Sequence, residues 1–309
     1  MDNKLWKHMQ ETIKNNNFFE KIEKRAKKDL SVNEVYLNTD LSEKTILYLK
    51  KQKYLEFSKI EKILKNNFMS KYPFGYVLKN QHGYIVGFMG TIFSSKGDNL
   101  IYCNIHTWIV DEKYRINSFL LLTPLIEKKI VLTAFTPVNT LVGLLEKFGF
   151  KKILMNYRIT FLFSLFSFFK SDNFIIEKDS SKIKKILNKN DLQIYENYIN
   201  LPCEKFIITE NNSSKYIFII ASVVKKKMFK VLNLFYVSNC NEMKKNWDIF
   251  KKKISKEFNL NFCGQYFFDE NYSSIPKSVI FSKNVNKKVC IKNLNEHSKL
   301  DILYSDLIG

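Results

Sequence analysis

Apolar positions in the first half of the chain switch repeatedly between the two-residue period of strands and the 3.6-residue period of helices. In chain order, this pattern first predicts a helix at 42–69, a hairpin at 75–80 and 84–94 that turns at Gly83, and a strand at 100–110. A helix at 115–129 and a strand at 130–135 follow. The pattern then predicts a helix at 136–150, ending with Gly149 as a left-handed cap, and a strand pair from 152 to about 169. Strands that alternate with helices predict a mixed sheet with helices on its faces.

The second half of the chain shows a weaker version of the same order. It predicts helices at 180–198 and 241–257 and strands at 204–210, 215–224, 229–237, 260–268 and 278–282. The sequence itself shows no repeat. We therefore predict an α/β (α+β) protein with three parts: a helical extension at 1–30, a mixed-sheet domain at 31–169, and a second α/β domain at 170–309, for which a diverged copy of the first is one interpretation.

Composition and charge limit the classes of partner. The chain has 309 residues, is 45% hydrophobic and carries a net charge of +20. Such a charge suits a polyanion partner, but lysines are spread along the whole chain and arginine, alanine and glycine are scarce, as in the products of an AT-rich genome. We therefore attribute the positive charge to the composition of the chain rather than to a polyanion partner. No zinc-finger, helix-turn-helix or RNA-recognition signature occurs, so nucleic acid is not the expected partner.

Cysteine usage and hydropathy indicate a reduced, cytoplasmic protein. Five cysteines and four histidines lie scattered without a CxxC pair, so no metal site is expected. The N-terminal 29 residues lack the apolar run of a signal peptide. The most apolar run, at 159–169, is too short to span a bilayer and predicts a buried strand, with peripheral membrane contact as the alternative.

One arginine stands at an informative position. The chain has three arginines, and Arg115 follows the strand that ends at Val110 and opens the next predicted helix. Free backbone amides at a helix N-terminus bind anions, and acids rather than arginine suit the helix dipole there. The pattern therefore indicates a pyrophosphate held by Arg115 and the amides of residues 115–120. A solvated surface arginine is the alternative.

Three segments resemble the GCN5-related N-acetyltransferase superfamily, in its order and spacing. They are GYIVGFMGTIFS (its central hairpin), TWIVDEKYRINSFLL (its acyl-CoA signature) and TPVNTLVGLLEKFGF (its closing helix). The resemblance covers about a quarter of the chain and implies acetyl-CoA or another acyl-CoA as substrate. It places the cofactor against Val110, Arg115, Ile116, Asn117, Ser118 and Phe119, with Asn139 near the pantetheine arm.

The sequence departs from the family pattern at two places. The family's phosphate turn is rich in glycine, whereas residues 116–119 contain none, which hinders close backbone approach. Ser118 can still donate to a phosphate, and Asn117 tolerates left-handed backbone. Leu145 stands where many members carry a tyrosine that protonates the leaving thiolate.

Catalytic candidates follow from the strand at 101–110, where the family usually places its base. Strand alternation puts Asn104 and His106 on one face and Thr107 on the other. His106 is the base candidate because its unperturbed pKa lies near 6.5; a half-buried, hydrogen-bonded histidine is the alternative. Asn104 is a candidate for holding a water or a substrate group, and Tyr157 for replacing the missing proton donor.

The resemblance implies an acyl-CoA-dependent N-acyltransferase that acts by direct transfer. The expected acceptor is an amine of a small molecule, sugar or peptide. Two alternatives remain open: a non-catalytic binding module with the same fold, and a tandem transferase that uses aminoacyl-tRNA, for which the charge of +20 would help. The sequence does not specify the oligomeric state.

Overall fold

A computed structural model describes residues 29–52, 68–95, 100–135, 137–162, 173–211, 213–226, 229–276, 283–294 and 302. Several predictions lie outside these ranges: the helical extension apart from its last two residues, most of the second half of the helix at 42–69, the end of the apolar run at 159–169, and the strand at 278–282.

The described residues form twelve strands and seven α-helices. The strands are β1 Leu30–Val35, β2 Gly75–Asn80, β3 Ile85–Ser95, β4 Ile101–Val110, β5 Val131–Ala134, β6 Lys151–Phe161, β7 Phe174–Glu177, β8 Glu204–Glu210, β9 Tyr216–Lys226, β10 Phe229–Val237, β11 Phe262–Phe267 and β12 Lys283–Lys292. The α-helices are α1 Asp40–Lys50, α2 Thr123–Ile126, α3 Asn139–Lys147, α4 Ser180–Ile186, α5 Lys189–Tyr198, α6 Cys240–Lys245 and α7 Trp247–Phe258, with 3-10 helices at Glu112–Leu122 and Glu270–Tyr272.

The chain divides into two compact units. The first unit contains Met1–Phe93 and Ile105–Ile130, and the second contains Ser94–Asn104 and Val131–Gly309. This division runs through β4. The predicted domain boundary between residues 169 and 170 lies outside the described ranges, and the three-part division stays a prediction.

The first unit is built on the order β1-β2-β3, with the second part of β4 beside β3. Both β1–β2 and β2–β3 are antiparallel. The predicted hairpin turn is confirmed, since Gly83 has a φ of 79°. Helix α1 begins with a capping box in which Thr39 and Ser42 bond each other's backbone. A core cluster of this unit combines buried residues of β1, α1, β2, β3 and β4 with Phe74, which directly precedes β2: Val35, Leu49, Phe74, Val77, Phe88 and Ile109.

The second unit has the strand order β4-β5-β12-β6-β11-β10-β9-β8-β7, where β4 contributes its first four residues. The β4–β5 and β10–β11 pairs are parallel, and the remaining pairs in this unit are antiparallel. Helices α6 and α7 bury Met243, Trp247, Phe250 and Ile254 against this sheet. The predicted α/β fold, with a mixed and mostly antiparallel sheet flanked by helices, is confirmed.

The two halves of the chain share one topology. Each half runs from a strand through helical segments to three successive strands that are neighbours in the sheet, and then through helical segments to a strand that pairs in parallel with the third of them. The parallel pairs include an asparagine at corresponding positions, Asn104 in β4 and Asn233 in β10. The weak order seen in the second half of the sequence is therefore a repeated architecture.

The last strand of each half of the chain pairs with strands of the other half, so the two halves exchange their last strands. Strand β6, which follows α3, pairs with β11, while β12 from the C-terminal part pairs with β5 and β6. β6 accounts for the first part of the strand pair predicted from 152 to about 169; residues 163–169 lie outside the described ranges, so the pair itself stays a prediction. The sheet of the second unit therefore contains neighbouring strands from both halves of the sequence.

The helices predicted at 180–198 are confirmed as α4 and α5, and Asn188 caps α5 by accepting from the Asp191 amide. Two other predicted helices are corrected. The helix at 241–257 is two helices that meet at Asn246. The helix at 115–129 is a long 3-10 helix followed by the short α2, which has Pro124 in its first turn. Among the described residues, no helix has the length and apolar character needed to cross a bilayer.

Candidate active site

Strand β4 carries a backbone irregularity at the residue after His106. Thr107 has a φ of 46°, an outlier for a β-branched residue. The side chains of neighbours in a regular strand point to opposite faces, yet His106 Nδ1 lies 2.9 Å from Thr107 Oγ1. The predicted alternation over this strand is therefore wrong at His106 and Thr107, where the backbone bulges.

The bulge seats the imidazole of His106 against strand β3. A methyl group at Gly90 would overlap the ring. Although the side chain as a whole is half-buried, Nε2 is enclosed and has no hydrogen-bond partner among the described residues. Desolvation lowers the pKa of His106 to about 4, so the ring is neutral at pH 7. Because one nitrogen of this neutral imidazole is engaged by Thr107 and the enclosed one has no partner among the described residues, the ring keeps the capacity for one further hydrogen bond.

Asn104 lies in the second unit, at the last residue pair that joins β4 to β5. It is opposite Thr133, whose hydroxyl donates to Asn104 Oδ1 over 3.3 Å. Both side chains are buried. The carbonyl oxygen of Asn104 therefore has a structural partner in this state.

The predicted phosphate turn has a different local structure. Glu112–Leu122 is a 3-10 helix, in which each amide donates to the carbonyl three residues earlier. The first such bond joins the Tyr114 amide to the Asp111 carbonyl over 2.8 Å. The amides of residues 115–120 are thus used inside the helix, and the predicted cradle of free amides at these residues is wrong. The open amides at this N-terminus are those of Glu112 and Lys113.

The side chains of the turn differ in access to solvent. Arg115 is 60% exposed, and its nearest acid is Glu112, at 3.9 Å. Ile116 is exposed, Asn117 and Ser118 are half-buried, and Phe119 is buried beneath them. Arg115 and Lys113 are therefore the accessible cations of this segment, and Arg115 is held by one weak, solvent-exposed ion pair. Val110 is buried at the end of β4.

The remaining candidates lie in the second unit. Asn139 is the first residue of α3 and is exposed, while Val138 occupies the N-cap position without a side-chain cap bond. Tyr157 lies in β6 and is 5% exposed, with its hydroxyl packed over Gly264. Burial raises its pKa, so the phenol keeps its proton at neutral pH. Leu145 is fully buried in α3.

Arg158 is completely buried, and no sequence pattern predicts a role for it. Its guanidinium donates to the Ile275 carbonyl over 2.7 Å and to Glu270 Oε1 over 2.6 Å, and it stacks on Phe267. The one feature of the sequence that could have indicated a role for this residue is the presence of an arginine in a lysine-rich chain. Arg158 holds β6 to the segment after β11 and is a structural residue.

The structure thus places the predicted residues in two groups. His106, Val110 and residues 115–119 lie in the first unit, and Asn104, Asn139 and Tyr157 lie in the second. In the first unit, one strand and the turn after it carry both the imidazole and the exposed arginine. Their roles stay predictions.

The solved structures that are similar to this chain share one fold. No protein-family model and no curated protein sequence matches the chain. Among solved structures, a GCN5-related N-acetyltransferase from Anabaena variabilis is 9% identical with a TM-score of 0.57, over 86% of this chain and 73% of that one. One from Kribbella flavida is 11% identical with a TM-score of 0.56, over 85% and 71%.

A third similar structure is the GCN5-related glucosamine N-acetyltransferase region of a fungal multi-domain β-N-acetylglucosaminidase. It is 13% identical with a TM-score of 0.57, over 85% of this chain; the match spans 38% of that longer chain. At these identities the likeness concerns architecture. The chain has the fold of the GCN5-related N-acetyltransferases.

Proposed function

We propose that this chain is an acyl-CoA-dependent N-acyltransferase that passes the acyl group directly to an amine of a small molecule, a sugar or a peptide. The observation that carries the proposal is the bulged β4 within the N-acetyltransferase fold, which holds a neutral imidazole whose enclosed Nε2 has no hydrogen-bond partner among the described residues. One similar structure is described as a glucosamine N-acetyltransferase, which supports an amine as acceptor.

The turn after β4 supplies the groups that fit a pyrophosphate. The guanidinium of Arg115 is exposed, and the amides of Glu112 and Lys113 precede the first bond of the 3-10 helix. Ser118 adds a half-buried hydroxyl. When bound, acyl-CoA provides the acyl group as an activated thioester.

His106 acts on the amine. An aliphatic ammonium must lose a proton before its nitrogen can attack a carbonyl. If Nδ1 donates to Thr107 Oγ1, Nε2 carries the lone pair, and the groups that enclose Nε2 must move before it can hold the amine N–H. With a pKa of about 4, His106 is a weak base. Its main contribution is therefore to orient the amine and to accept the proton transiently as the nitrogen attacks.

A non-catalytic binding module is the second candidate, and two observations favour it. The amides of residues 115–120 are consumed by the 3-10 helix, and buried Leu145 leaves no proton donor at its position. Such a module would keep the fold without binding acyl-CoA.

Isothermal titration calorimetry of acetyl-CoA and coenzyme A distinguishes the two candidates. We expect micromolar binding that Arg115→Ala weakens about tenfold, as loss of a charge-assisted bond would. Lys44→Ala, an exposed lysine on α1 of the same unit, is the matched control. Absence of binding, or equal effects of both variants, would support the binding module or a different donor.

Activity separates the role of the imidazole from cofactor binding. With an amine panel and detection of released thiol, His106→Gln is expected to lower turnover while acetyl-CoA affinity stays unchanged. Unchanged turnover would remove His106 from the mechanism.

A further inference from the structure

The second unit contains a cavity of about 460 Å³ at one end of strands β8, β9 and β10. Its walls combine apolar surface from Phe174, Ile217 and Phe250 with polar groups from α5 and from the turn after β10. Cavities of this size, with apolar walls and a few fixed polar groups, bind small molecules. All of its lining residues belong to the second unit.

A buried carboxylate lies in the wall of this cavity. Asp191 is 4% exposed and accepts hydrogen bonds from the hydroxyls of Tyr216 and Tyr236, each over 2.7 Å, and from the side-chain amide of Asn188 over 3.0 Å. These donors are all neutral, and no cation contacts Asp191 within the described part of the chain. Burying a carboxylate without a counter-cation is costly, so a bound cation would be stabilised there.

The phenol of Tyr216 stays a donor to this carboxylate across the physiological range. Burial above all, together with the hydrogen bond to Asp191, raises the pKa of Tyr216 to about 12, against the opposing effect of the Asn188 amide, which donates to the phenol oxygen. The negative charge at the cavity wall is therefore held in place by hydroxyls that do not ionise at neutral pH.

The rim of the cavity has the same sign of charge. Glu210 and Glu242 line it together with one cation, Lys215. Three carboxylates against one lysine reverse, at this place, the sign of a chain whose net charge is +20. Like-signed groups around a concave surface concentrate ligands of opposite charge.

We propose that this cavity binds a small organic amine in its ammonium form. Asp191 with the rim carboxylates attracts the ammonium group, and the phenylalanine and isoleucine walls contact the carbon skeleton. This site lies beyond the proposed transfer reaction, because its occupancy requires neither acyl-CoA nor the turn at Arg115.

Calorimetry on the full chain, without acyl-CoA, tests the proposal with a matched pair of sugars. Glucosamine carries the ammonium, and N-acetylglucosamine has the same ring without the charge. We expect glucosamine to bind and the acetylated sugar to bind at least tenfold more weakly. Spermidine, run in parallel, shows whether a linear polyamine is preferred. Equal binding of the two sugars, or no binding of either amine, would overturn the proposal.

Variants at the rim locate the binding. Glu210→Gln and Glu242→Gln should each weaken amine binding about three- to fivefold, as expected for partly exposed ion pairs. Glu196→Gln, on the exposed side of α5, is the control and should leave amine binding unchanged. If Glu196→Gln weakens binding as much as the rim variants, the cavity is not the site. Asp191→Asn, with its fold checked by circular dichroism, should have the largest effect.

Discussion

The imidazole of His106 lies against the backbone of Gly90, so closely that a methyl group at position 90 would overlap the ring. The absence of a side chain at Gly90 and the bulge at Thr107 together fix where the ring sits. Two sequence features on neighbouring strands therefore determine the position of one imidazole.

Replacement of Gly90 by alanine tests this relationship. The added methyl group must displace a ring that is enclosed at Nε2, so Gly90→Ala is expected to lower the free energy of unfolding by about 1–3 kcal/mol. In a His106→Ala background the same methyl group has room, and its cost should fall. Urea unfolding of the four proteins in this cycle measures the coupling.

Gly143→Ala is the control for a glycine without such a neighbour. No atom lies within 4 Å of a methyl group at this position in α3, so helix propensity predicts stabilisation of about 0.5–1 kcal/mol. Additive effects of Gly90→Ala and His106→Ala would contradict the proposed contact.

The low pKa of His106 predicts a pH dependence of stability. The folded pKa is about 4 and the unfolded value is 6.5, so between these values the unfolded chain binds a proton that the folded chain does not. Stability from this group is complete above about pH 6.5 and falls as pH drops towards 4, by up to about 3 kcal/mol. Urea unfolding at pH 7.0 and 4.5 should show this loss in the wild type and a smaller one in His106→Gln. Equal losses would exclude His106 as the source.

The same pKa bears on catalysis. If acyl transfer occurs and His106 is the base, the acidic limb of kcat/KM should lie near pH 4 to 5, because the free enzyme protonates His106 only there. A limb at 6.5 that His106→Gln abolishes would instead indicate a solvated imidazole. Thiol release measured from pH 4.5 to 8 distinguishes the two.

The buried arginine gives a prediction for the second unit. Arg158→Ala removes the donor to the buried Ile275 carbonyl and leaves a cavity over Phe267. We expect a loss of about 3–5 kcal/mol in the free energy of unfolding. Arg115→Ala removes an exposed arginine and should change it by at most about 0.5 kcal/mol. A similar, small effect of both variants would mean that Arg158 is dispensable for holding β6.

Much of the fold follows from local pattern. The hairpin at Gly83, the strands from 204 to 210 and from 229 to 237, and the left-handed Gly149 at the end of α3 appear where periodicity and turn chemistry place them. In each case a short segment carries the signal: alternation within a strand, or a glycine where φ must be positive.

The candidate site was less predictable, because its geometry depends on neighbouring strands. Nothing in the residues around Thr107 signals a positive φ, and helical spacing in residues 115–129 does not distinguish a 3-10 helix from an α-helix. The cavity around Asp191 collects residues far apart in sequence. A local sequence pattern can assign each of these residues to a helix or a strand, but only the folded chain brings them together.

The exchanged strand β12 carries the last prediction. It lies between β5 and β6, so its backbone is bonded on both sides, and Val289 is fully buried within it. Val289→Ala removes two methyl groups and should cost about 1–3 kcal/mol. Val289→Pro also removes a backbone donor from a central strand and should cost at least about 3 kcal/mol more, which amounts to unfolding of the second unit. Urea unfolding followed by circular dichroism compares the two variants. If the two variants differ little in stability, β12 is not a fixed part of the sheet. A large difference means that the sheet of the second unit requires β12 between β5 and β6.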